Sequence, residues 1–164
     1  MLTLAQWLSG TTASAAIRSV DWLIPLLQTI HILAIAAVMS SLLMIDARLL
    51  RTRRSPSQSI AEAVHRFEAW IWSGLVVLAA SGAPLIVAEP PRTLPNAVFQ
   101  TKMLLLVLAV ATTGGLGVLL RRNGEFNRPS GCASGAVKLL AVTAFLLWCA
   151  VATAGRFIAY TQPG

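Results

Sequence analysis

Four long apolar stretches, at 22–50, 69–88, 99–120 and 137–160, run through this chain, and most of its charges fall between them. The hydrocarbon core of a bilayer is about 30 Å thick, and an α-helix crosses it with about 20 apolar residues. Each stretch meets that length. Backbone amides in lipid must pair within their own segment, so such runs fold as helices. They are continuous and do not alternate, which argues against a transmembrane barrel. With 164 residues, 56% of them hydrophobic and 12% charged, the expectation is one all-α domain over 1–164. That domain is an integral membrane four-helix bundle with short connections and no soluble part.

The net charge of +7 would suggest nucleic acid in a soluble protein. Here the basic residues read as topology signals, with the lipid bilayer as the partner and no nucleic acid. Arg48, Arg51, Arg53, Arg54 and Arg66 follow the first span, and Arg121, Arg122, Arg128 and Lys138 follow the third. Only Arg18, Arg92, Lys102 and Arg156 fall on the other side. The positive-inside rule makes the basic side cytoplasmic. Both termini are therefore expected in the periplasm, and the membrane is the inner membrane of a bacterium.

Residues 1–20 lack a basic leading region, and their apolar runs are broken by Gly10 and several Ser and Thr, unlike a cleavable signal. They are expected to lie along the outer interface. Residues 57–68 show Ile60, Val64 and Phe67 at helical spacing, and are expected at the cytoplasmic interface before the second span enters at Trp70 and Trp72. Gly74, Ser81 and Gly82 give that span a face that a neighbouring helix can approach closely. Asn96 is placed to cap the third span. Cys132 and Cys149 occupy different environments, so no disulfide is expected.

Ionisable groups within a span are costly and are the first functional candidates. His31 lies roughly 13 Å below the outer boundary at 1.5 Å per residue. At about 100° per residue, Ile24, Gln28, His31, Ile35, Leu42 and Asp46 share one stripe of the first span, which should face protein. Lys102 enters at the same level on the third span. Arg156 lies one turn below the outer end of the fourth, with Thr153 and Tyr160 on its face. His31, Gln28, Lys102, Arg156 and Tyr160 thus form the candidate cofactor site, with His31 as its metal ligand. The bland alternative has Lys102 and Arg156 snorkelling to headgroups and His31 bonded to Gln28 or a carbonyl. Toward the inner side, Asp46, Arg48, His65 and Glu68 form a second group, in which Asp46 is expected to pair with an arginine. The two histidines lie too far apart along the bundle to share a site.

Several patches carry a resemblance: HILAIAAV from His31, DARLL from Asp46, Trp72-Ser73-Gly74 with Gly82, NAVFQTK from Asn96 and GRFIAY from Gly155. Together they resemble a family of short four-helix bacterial inner-membrane proteins of unknown function. Ala97 stands where that family usually has proline. The resemblance implies a four-span fold and no particular activity. A more distant likeness is to copper-resistance membrane proteins of the D type and to small b-type cytochromes, which build sites from histidines inside helical bundles.

Three functions follow as expectations. The first is an electron-transfer module holding haem b or a quinone, with His31 as ligand or hydrogen-bond partner and Lys102 and Arg156 as anion partners. A low-spin haem wants two strong ligands, and Met39 points about 80° away from His31. A homodimer mate or a partner subunit would then supply the second. The next is copper handling with a periplasmic carrier through His31, Met39, Met103 and Cys149, against which the nearby cations weigh. The last is a non-catalytic anchor or assembly subunit. No paired carboxylates, nucleophile motif, phosphate loop or CxxC is present, so no independent catalytic activity is expected.

Overall fold

A computed structural model describes residues 2–50, 60–122 and 134–158, with every side chain among them except those of residues 2, 4, 60–65, 121 and 122. These residues form helices and turns only. Two short helices, α1 (Leu2–Ser9) and α2 (Thr12–Arg18), precede the long α3 (Leu23–Leu50). Then come α4 (Ile60–Ala88), a single turn α5 (Pro90–Thr93), α6 (Ala97–Arg122) and α7 (Gly135–Phe157). Helices α3, α4, α6 and α7 are each long and apolar enough to cross a membrane. The protein is an all-α, four-helix membrane bundle.

Residues 60–68 are helical, as their spacing predicts, and continue without a break into the second span as α4 (Ile60–Ala88), while 57–59 lie outside the described residues. No glycine or proline falls between Ile60 and Ser73 to interrupt the hydrogen-bond ladder. Pro84 sits inside the helix. Its chain then turns at Glu89, and the two prolines that follow open α5, where a missing N–H costs least. Asn96 Oδ1 accepts the amide of Val98 at 2.9 Å and so caps α6.

The bundle is two antiparallel hairpins, α3–α4 and α6–α7, joined where α3 meets α7. The α3–α4 seam is close because of Gly74: a β-carbon there would lie 2.6 Å from Val38 Cγ2. Val38, Leu42, Leu49, Ala109, Val137 and Trp148 are buried between the helices. Trp148 Nε1 donates to Thr113 Oγ1 at 3.2 Å, bonding α7 to α6 inside the core. Large aliphatics instead cover the outside, including Leu33, Val76, Val107, Leu139 and Leu146, each at least 60% exposed. Such a surface would aggregate in water and suits acyl chains. At the α5 end, α1 packs on α5, while α2 packs on α3 and α4.

Candidate functional site

Small residues on α4 give His31 its place. Its ring reaches from α3 to α4, where Nδ1 lies 2.8 Å from Ser81 Oγ. A β-carbon on Gly82 would come within 3.2 Å of the ring's Cε1, so the imidazole fills the notch that glycine leaves. Ser81 is buried, and its hydroxyl lies 2.7 Å from the carbonyl of Val77 one turn back. A hydroxyl has one proton. With that hydrogen directed at the Val77 carbonyl, Ser81 Oγ accepts from His31, and Nδ1 carries the hydrogen. The Nε2 lone pair of the neutral ring then has no hydrogen-bond partner among the described residues.

The other hairpin repeats this arrangement with a cation. Lys102, on the second turn of α6, is half-buried and lies across Gly155 of α7, where a β-carbon would sit 3.5 Å from Nζ. His31 lies near the start of α3 and Lys102 near the start of α6, so an imidazole in one glycine notch and an ammonium in another sit in the same half of the bundle. Both lie toward the α5 end, and all four long helices contribute.

The remaining candidates are placed differently. Gln28, one turn before His31, is exposed and makes no hydrogen bond to it. The partner of the imidazole is Ser81, which sequence reasoning used only as a small packing residue. Its signal was there in the Ser81-Gly82 pair, a hydroxyl beside a notch, but nothing local says which α3 residue faces it. Arg156 is exposed in the last turn of α7. Tyr160 lies outside the described residues. Met39 packs half-buried against the core, and Cys149 is a half-buried free thiol. Among the described residues no three His, Cys, Asp or Glu side chains gather as a metal-binding set.

At the opposite end Asp46 is buried, and its Oδ1 has no hydrogen-bond partner. The expected pairing with an arginine is absent among the described residues. Arg48, two residues on, projects about 200° around α3 and cannot share the inward face. Glu68 reaches from α4 toward α6, where a β-carbon on Gly117 would lie 3.7 Å from its Oε1. It lines a groove of ≈ 290 Å³ with Leu42, Ile71, Trp72, Thr113 and Gly117. The side chain of His65 lies outside those described.

The family model of a family of unknown function (DUF6644) matches residues 22–161, and the chain belongs to that family. No curated protein and no solved structure matches it.

Proposed function

We propose that this member of a family without assigned activity is a redox module of the bacterial inner membrane, holding a b-type haem at His31 in the periplasmic half of its bundle. One observation supports this above all: the chain from His31 Nδ1 through Ser81 Oγ to the carbonyl of Val77. Histidines that bind metals commonly donate their other ring N–H to a fixed acceptor, which sets the tautomer and the ring plane. Ser81 supplies that acceptor here. Nε2 is left with the lone pair a ferrous or ferric iron would take.

His31 would hold the haem iron through Nε2, and any further protein ligand would come from a second copy or a partner subunit. Lys102 in its glycine notch is suited to offset a propionate, and Arg156 can do so from the end of α7. The haem would supply a one-electron iron couple. Gly82 makes room for the ring, Ser81 holds it, and Lys102 balances charge in a low-dielectric interior.

The cation also favours a second reading, a quinone site. In that case Nε2 of His31 would accept a proton and Lys102 would offset negative charge beside it, while the quinone would supply the redox couple. A bare copper ion is less well served, because an ammonium beside the imidazole repels it. By the positive-inside rule, the basic connections favour a periplasmic α5 end and periplasmic termini in this reading.

An absorption spectrum of freshly solubilised protein separates these readings. A Soret band that disappears in His31→Ala supports haem. A colourless protein with extractable quinone, lost in the same variant, supports the second reading. Stoichiometric copper by elemental analysis, or a stable co-purifying protein with neither pigment nor metal, overturns both in favour of copper handling or an accessory subunit.

A further inference from the structure

We propose that Asp46 is a proton-binding site inside the bundle, occupied as the neutral carboxylic acid and separate from the site at His31. Its side chain belongs to α3, which crosses the membrane, and the residue is only 5% exposed. Oδ1 is sealed from solvent and meets no donor. An isolated carboxylate in such surroundings costs many kcal/mol, and a group in that position takes up a neutralising partner. Three kinds of partner exist: a basic side chain, a metal cation or a proton.

The structure discriminates among them. A basic side chain would hydrogen-bond the carboxylate, and none among those described does. On the elements packed around this end of α3, the charged groups are Arg48 of α3, Arg66 and Glu68 of α4, and Lys138 of α7. The side chains of Arg51, Arg53, Arg54, Glu62, His65, Arg121 and Arg122 lie outside the described set. A metal cation needs several oxygen ligands around it. No three His, Cys, Asp or Glu side chains gather as a ligand set among the described residues. A proton needs no ligand set. It converts the carboxylate into a neutral group, whose burial is far cheaper. By helix rise Asp46 sits about 22 Å from His31 along α3, so this proposal stands whether or not the redox reading does.

The test uses the full-length protein in lipid vesicles and dicyclohexylcarbodiimide, an apolar reagent that attacks only the acid form of a carboxyl. The acid proton passes to one reagent nitrogen while the carboxyl oxygen bonds to the central carbon. Acyl migration to the other nitrogen then gives a stable acylurea, with the whole reagent added and nothing released. Peptide mass mapping at neutral pH is expected to find the adduct on Asp46, weakening as the medium is made alkaline and unchanged by added sodium. A water-soluble carbodiimide is expected to label the exposed Asp21 and Glu89 and to spare Asp46. In Asp46→Asn only the apolar adduct should vanish. The map reads the site in the unmodified chain, so a poorly folding variant does not blunt the result. An unlabelled Asp46, or labelling suppressed by sodium, overturns the proposal, the latter in favour of a metal cation.

Discussion

The imidazole of His31 and the hydroxyl of Ser81 meet at 2.8 Å across the α3–α4 seam. Because the Ser81 hydroxyl donates its hydrogen bond to the Val77 carbonyl, the pair orients the ring and leaves its other nitrogen to react. Removing the acceptor should therefore do more than loosen a helix contact. Ser81→Ala leaves a part-buried N–H unsatisfied, at about 1–3 kcal/mol. If His31 holds haem, the variant should bind it roughly 10–100-fold more weakly, measured by Soret titration of the reconstituted protein. Ser81→Thr, which keeps the hydroxyl, should recover most of the loss.

The two glycine notches should respond unequally. Gly82→Ala brings a methyl within 3.2 Å of the His31 ring, so the imidazole must shift and the spectrum of any bound pigment should move. Gly155→Ala meets Lys102 Nζ at 3.5 Å, an ordinary contact with the end of a flexible chain. That variant should retain wild-type stability and absorption. Equal effects at both positions would contradict the notch geometry.

Packing at the α3–α4 seam is tighter still. A methyl at position 74 would overlap Val38 Cγ2 at 2.6 Å, and Val38 is fully buried. Gly74→Ala should cost about 1–3 kcal/mol through overpacking. Combining it with Val38→Ala should relieve much of that cost, so the pair should be non-additive by more than about 0.5 kcal/mol. Denaturation of the four proteins in mixed micelles measures the coupling.

Trp148 is 1% exposed and donates to Thr113. Its replacement by Ala should destabilise the bundle by about 3–5 kcal/mol. Thr113→Val should cost about 1–3 kcal/mol, because it leaves the indole N–H buried without an acceptor. By contrast, the exposed Arg92–Glu89 pair at 3.1 Å should contribute less than about 1 kcal/mol, so Glu89→Gln should leave the denaturation midpoint nearly unchanged.

Orientation can be read directly. Arg92→Cys, introduced into a chain whose Cys132 and Cys149 are replaced by serine, should react with a membrane-impermeant maleimide in spheroplasts without lysis. Labelling that requires lysis would reverse the proposed topology.

Much of this protein was legible residue by residue. Hydropathy adds along the chain, so the four spans, the all-α class and the lipid-facing surface follow from composition within windows of about 20 residues. The Asn96 cap was also readable, since its bond reaches only two residues ahead. The same local logic read residues 60–68 as helical, and they run on into the second span without a break. An intact hydrogen-bond ladder does not register where the surrounding medium changes.

What the tertiary structure alone decided was which polar groups meet. Gln28 and His31 share a stripe by helical angle, yet the first is exposed while the second reaches Ser81, 50 residues away. Asp46 sits among arginines in sequence and has none as a hydrogen-bond partner among the described residues. Periodicity places residues on a common face to within tens of degrees. Closure of a hydrogen bond within a few tenths of an ångström depends on how one helix is rotated and shifted against another. That register is set by the glycine notches and the side chains that fill them.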